Sequence, residues 1–215
     1  MKRTIGFALL ALTGIVVLAD EHPAGVPADK ALAMLIDGNQ RFAEHLKTHA
    51  DASPERRHEL IVGQHPYAVI ISCSDSRVPP ELVFDAGLGE LFVIRDAGNV
   101  VDDVVVGSVE YAIEHLGVKL VLVMGHESCG AVTAAVNHAN EAHITAIVKA
   151  ILPALEVSKG QAGDPVHNCV AANARMTAKQ IRESQPVMAK AVSKDGVKVQ
   201  AAVYDLQTGK VNLLK

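Results

Sequence analysis

The stretch that decides the fold runs from Tyr67-Ala68-Val69-Ile70-Ile71 into Ser72-Cys73-Ser74-Asp75-Ser76-Arg77. Its first five residues are uniformly apolar and rich in β-branched side chains, as in a parallel strand buried on both faces. Cys73 then falls where a strand leaves the sheet, and open α/β sheets bind their ligands at the carboxyl ends of strands. A second apolar run, Lys119-Leu120-Val121-Leu122-Val123-Met124, ends the same way, in Gly125-His126-Glu127-Ser128-Cys129-Gly130. Two parallel strands ending side by side would bring Cys73, His126 and Cys129 to one point. Two thiolates and one imidazole are the ligand set of a catalytic zinc with its fourth position open. His126 and Cys129 are three residues apart, so one turn aims both at a single ion. Alone that spacing is a weak signal; the two strand ends together are a strong one.

Outward from these strands the pattern alternates. Asp29 is a candidate N-cap for a helix to about Lys47, with Ala31, Met34, Leu35, Phe42 and Leu46 on one face. Ser53 before Pro54 predicts a short second helix, stopped at Gly63-Gln64-His65-Pro66. Val78-Pro79-Pro80-Glu81 predicts a helical turn, Glu90 to Ile94 a strand, and Val100 to Leu116 a helix with Gly117 as its cap. Helices are predicted after Cys129, over Ala142 to Val157, and from Val166 to about Val192, with a break at Gly160 to Pro165. Lys198 to Tyr204 and Lys210 to Leu214 read as two strands joined at Gln207-Thr208-Gly209. The fold class is therefore α/β: a mainly parallel central sheet flanked by helices, a C-terminal hairpin, and N-terminal helices free to serve dimerisation.

The chain has 215 residues, enough for one domain with a sizeable core. Its formal charge of −4, without a basic stripe, gives no sign of a nucleic-acid partner. Met1-Lys2-Arg3, the apolar run Ile5 to Ala19 and the small-residue ending before Asp20 fit a secretory signal. The run is shorter than the roughly 20 residues that span hydrocarbon, so stable membrane insertion is not expected after cleavage. The expected organisation is a signal over 1–19, a linker over 20–28 and one catalytic domain over 29–215. Cleavage removes two positive charges, taking −4 to −6, and the mature chain is expected to be exported to a periplasm. Three cysteines are too few for a disulfide framework; a Cys73–Cys129 disulfide is the bland alternative to zinc, and Cys169 reads as a small buried residue.

Asp75 and Arg77 follow Cys73 at i+2 and i+4, which in an extended segment would point all three to one side. Beside a zinc site they read as a dyad acting behind the ligands.

Cys73-Ser74-Asp75-Ser76-Arg77-Val78-Pro79, Arg95-Asp96-Ala97-Gly98-Asn99 and Gly125-His126-Glu127-Ser128-Cys129-Gly130 resemble, in order, the β-class carbonic anhydrases. Gly38-Asn39-Gln40-Arg41-Phe42 and Glu110-Tyr111-Ala112 are similar to that family too. The resemblance implies one Zn2+ per chain on Cys73, His126 and Cys129, and reversible hydration of carbon dioxide to bicarbonate and a proton. It implies two states of Asp75: a fourth metal ligand, or a partner of Arg77 that orients a hydroxide generated at the metal. Thiolate donation makes that water less acidic than in a three-histidine site, so an alkaline optimum is expected. By the same resemblance Gln64 contacts substrate from across a dimer, Phe92 and Tyr111 line an apolar pocket, and Gly130 belongs to the substrate site. A homodimer or dimer of dimers is implied. An inhibitory second bicarbonate site would use Arg95 and Tyr204, but Ile70 stands where that subgroup has tryptophan. Two alternatives remain: hydrolysis of carbon disulfide or carbonyl sulfide on the same scaffold, and zinc binding without turnover.

Overall fold

The structure is a computed structural model that describes residues 25–46, 48 and 51–215; the predicted signal and most of the linker lie outside them. Among the described residues five strands form one sheet in the order β2-β1-β3-β4-β5: β1 (Ala68–Cys73), β2 (Leu91–Asp96), β3 (Leu120–His126), β4 (Lys198–Tyr204) and β5 (Val211–Leu213). The first four are parallel and β5 closes an antiparallel hairpin on β4, as expected. Every residue of β1 and β3 is buried, which is why neither alternates with polar side chains.

Alternate residues of these strands feed two apolar layers. Ile70, Leu122 and Met124 pack with Leu35 of α1 (Ala28–Ala43), Val132 of α5 (Gly130–Val136) and Ile151 of α6 (Ile144–Ser158). Val69, Ile71, Val121 and Val123 pack on the other face with Val109 and Ile113 of α4 (Asp103–Leu116), Ile181 of α7 (Pro165–Glu183) and Met188 of α8 (Val187–Lys194). At roughly 25 cal/mol per Å² of apolar surface, burial on both faces makes β1 and β3 the most firmly held part of the sheet. Those strands carry Cys73 and His126, and Cys129 follows β3 by three residues. Gly125 fits here because α7 crosses β3 closely: a Cβ on it would lie 3.1 Å from Val170 Cγ1.

Several boundaries differ from expectation. Helix α1 starts at Ala28, one residue inside the expected linker, and its N-cap is Pro27 rather than Asp29, which lies in the first turn. It ends at Ala43, because His45 adopts a left-handed φ of +57° that no helix continues, and Leu46 is left exposed. The long C-terminal helix is split into α7 and α8 at Pro186, whose ring has no N–H to carry the ladder across. Ser53 does cap α2 (Pro54–Glu59), accepting from Arg56 N, and a 3-10 turn follows over Leu60–Val62. The helical turn α3 (Pro80–Val83) and the Gly117 cap, φ +70°, are as expected.

Candidate metal centre

β1 and β3 are neighbours, with Ser72 level with Met124, so the two strand ends do emerge side by side. Cys73, His126 and Cys129 are all buried, and their Sγ and ring nitrogen atoms lie within 4.8 Å of one another. Cys129 reaches back to His126 because Ser128 turns the chain with a left-handed φ of +53°, a costly conformation for a residue with a Cβ. All three cysteines are free, so the disulfide alternative is not what the fold builds.

His126 is oriented by its own neighbour: Nδ1 lies 2.9 Å from the Glu127 carbonyl, which accepts its proton. Nε2 is thereby left with a lone pair, and among the described residues it is buried without a hydrogen-bond partner. An unpaired buried nitrogen costs free energy, whereas a cation between it and two sulfurs satisfies it. The donor set therefore fits zinc: soft sulfur and imidazole at tetrahedral reach. The Cys129 thiol donates towards Cys73 and, with the Gly98 N–H at 3.3 Å, favours the Cys73 thiolate; the same sharing, with burial, pushes Cys129 up.

Asp75 stands outside this trio. Arg77 Nε donates to its Oδ1 at 2.9 Å and Nη2 to its Oδ2 at 2.7 Å. The Arg77 guanidinium holds the Asp75 carboxyl well below the usual carboxylate range. Oδ2 is still only 3.8 Å from His126 Nε2. The extended geometry expected for Cys73, Asp75 and Arg77 is not found. The strand ends at Cys73, and Asp75 to Val78 is a turn closed by Val78 N on the Asp75 carbonyl at 3.1 Å. Arg77 meets Asp75 because that turn also places the Arg77 N–H on Oδ1 at 2.9 Å.

Arg95 has a role that its sequence did not announce. Its guanidinium donates to the carbonyls of Cys73 at 2.9 Å and Asp75 at 2.6 Å, clamping the turn from β2. Ile70 is fully buried inside the sheet, and Tyr204 packs its ring on Phe42. Asp96, beside Cys73 in the register, is pushed up to about 6 by burial, with the Cys73 and Asp102 charges adding to it.

The expected substrate residues divide. Gly130 opens α5 directly beside Cys129, and its Cα faces open space. Gln64 does not reach the trio within its own chain: it is exposed before β1 begins, whereas Cys73 ends β1. Phe92 pairs with Val69 and precedes Asp96 by four residues, roughly 13 Å along the strand from the level of Cys73. Its ring lies 6.2 Å from that of half-exposed Tyr111, on the sheet's β2 side. Strand direction separates these residues from their own chain's candidate metal ligands.

A model of the carbonic anhydrase family matches residues 68–211. The chain belongs to the carbonic anhydrase family. A carbonic anhydrase of Mycolicibacterium smegmatis is 36% identical over 193 residues, covering 87% of this chain and 92% of that one. Carbonic anhydrase 2 of Mycobacterium tuberculosis is 49% identical over 116 residues, 54% of this chain and 55% of that one. Among solved structures, a β-carbonic anhydrase of Aspergillus fumigatus matches with a TM-score of 0.70 at 28% identity, covering 87% and 90% of the two chains. The mostly parallel sheet with its C-terminal hairpin makes this a β-class member, and the family's activity, carbonate dehydration, makes it an enzyme.

Proposed function

We propose that the chain catalyses the reversible hydration of carbon dioxide to bicarbonate and a proton, with one zinc held by Cys73 Sγ, Cys129 Sγ and His126 Nε2. The observation that carries this reading is the buried trio with an unpartnered His126 Nε2, set beside an Arg77-bound Asp75. A bound zinc supplies a Lewis acid that lowers the pKa of water at its fourth position. The rest falls to side chains. Asp75, kept ionised by Arg77, is an acceptor only, so it takes a hydrogen bond from the attacking water and turns a lone pair towards carbon dioxide. Arg77 also keeps Asp75 off the open ligand position. Arg95 and the turn it clamps hold both residues in register with Cys73.

Gln64, Phe92 and Tyr111 fit this site only from a second copy of the chain, so the working unit is a homodimer or a dimer of dimers. β2 supports this: it is an edge strand whose residues are only partly buried. Light scattering that finds a fully active monomer would refute it. Among the described residues no helix is long and apolar enough to cross a membrane. The export reading rests on residues 1–19 alone, and N-terminal sequencing of the mature chain should begin at or near Asp20.

Stopped-flow hydration of carbon dioxide by the zinc-loaded chain, run beside carbon disulfide hydrolysis, tests the function. Metal analysis should give close to one zinc per chain, and Cys129→Ser should lose most of it. An active wild type without metal would sink the zinc reading, and turnover of carbon disulfide alone would replace the substrate.

A further inference from the structure

Behind Cys73 a run of hydrogen bonds leads to the middle of α7. The inward face of that helix is apolar at Val170, Ala174, Ala178 and Ile181, yet it buries Asn173 and Thr177 at 3% and 2% exposure. Four residues apart, the two share that face. Asn173 Nδ2 donates to the Gly98 carbonyl at 2.8 Å, and Thr177 Oγ1 donates to the Asn99 carbonyl at 3.2 Å. Gly98 in turn gives its N–H to Cys73 Sγ. Burying an amide and a hydroxyl in an apolar face costs free energy unless each is bonded, and both spend their donors on this one turn.

The turn itself needs holding. Gly98 has φ +85°, and a Cβ there would meet Ala131 Cβ and Ile151 Cδ1, both at 2.9 Å. Asn99 is left-handed at φ +45°, a conformation asparagine tolerates better than most residues. Helices α5 and α6 press the turn from one side, and Asn173 and Thr177 pin it from the other.

We propose that Asn173 and Thr177 are positioning residues for the metal ligand Cys73, holding the Gly98–Asn99 turn so that the Gly98 N–H stays on the sulfur. This rests on the reading of Cys73, His126 and Cys129 as zinc ligands. An N–H on a thiolate fixes the direction of its lone pairs and trims the charge it gives a metal. Outer contacts of that kind change metal affinity by about 10- to 100-fold when removed. The residues concerned lie 75 and 78 positions from their partners, so only the folded chain makes the link.

Thr177→Val keeps the side chain's shape and deletes its donor; Asn173→Ala deletes the other. Ser158→Ala is the control, since Ser158 Oγ is also buried but bonds Leu155 within α6. Zinc affinity by chelator competition, the sulfur-to-cobalt charge-transfer band of the cobalt-substituted chain, and Tm are measured on each. Thr177→Val should bind zinc about 10-fold more weakly and shift the band, and the double variant more so. Ser158→Ala should lower Tm while leaving affinity and band at wild-type values. If Asn173→Ala does not fold, Thr177→Val decides alone. Wild-type affinity and band in Thr177→Val would overturn the inference, as would equal weakening by Ser158→Ala, which would mark a general loosening. A wild type that takes up no zinc is read before any variant, and it overturns the zinc reading and this inference with it.

Discussion

Two aspartate–arginine pairs in this molecule have the same shortest contact and opposite purposes. Arg77 Nη2 lies 2.7 Å from Asp75 Oδ2, and Arg41 Nε lies 2.7 Å from Asp85 Oδ2. The first joins residues two apart in a turn, with the arginine side chain 52% exposed and the aspartate 18%. The second joins α1 to the residues after α3 across 44 positions, and its aspartate is 2% exposed. Asp85 Oδ2 also accepts from Thr48 N and Oγ1, so that one buried oxygen carries three donors. Among the described residues Asp75 has only Arg77 as a donor, and its Oδ2, with one donor, sits beside the candidate metal trio. Contact length does not tell the two pairs apart; burial and the groups beside each carboxylate do.

The largest effect should come from the working pair. Arg77→Ala should keep its zinc and lose about 10²-fold or more of carbon dioxide hydration, because the carboxylate is free to fall onto the open position. X-ray absorption should then show a carboxylate oxygen joining two sulfurs and one nitrogen. Its stability should change by no more than about 1 kcal/mol, as for an exposed pair. Hydration at the wild-type rate would reduce Asp75–Arg77 to a turn ornament and erase the contrast.

Next in size is the structural pair. Arg41→Ala strands a buried carboxylate, and denaturant titration should record a loss of about 2 kcal/mol, below the full cost of a buried pair because Arg41 is partly exposed. The kcat of the folded fraction should match wild type. A kcat loss as deep as that of Arg77→Ala would show that both pairs serve the site.

The smallest effect is in acid. Both aspartates titrate below their ordinary value: Arg77 lowers Asp75, and Arg41 with Thr48 outweighs the burial that would raise Asp85. A carboxyl whose folded pKa is depressed contributes stability above its unfolded value, about 3.9, and loses it as pH falls through the folded value. Denaturant titrations should therefore show these contributions constant from pH 8 to 5 and shrinking below about pH 4. Arg41→Ala should flatten that acid slope more than Arg77→Ala, since solvent screens the exposed pair. The reverse order would invert the ranking.

Much of this was legible in one dimension. Period and composition suffice for Ala68–Cys73 and Leu120–His126, because a strand buried on both faces cannot alternate. Strand ends then predict where Cys73, His126 and Cys129 go, since parallel neighbours terminate on one edge. Local chemistry also announces the Ser53 cap and the Gly117 stop, each decided within a few residues. The helix break at Pro186 and the true start at Ala28 were within reach of the same rules, because proline's missing N–H and fixed φ act locally.

What the sequence could not decide depends on contacts between distant segments. The turn at Asp75 replaces an extended run because Arg95, from the next strand, takes the carbonyls that a ladder would have used. Gln64, Phe92 and Tyr111 lie away from their own chain's ligands because strand polarity puts them towards the other end of the sheet. Asn173 and Thr177 are two polar letters in a helical pattern until α7 is laid against the Gly98 turn. The identity of the candidate ligands is a property of side chains and survives in the sequence, and Glu127 and Ser128 set His126 and Cys129 locally; the surroundings of Cys73 come from residues 20 to 80 positions away, and only tertiary packing supplies them.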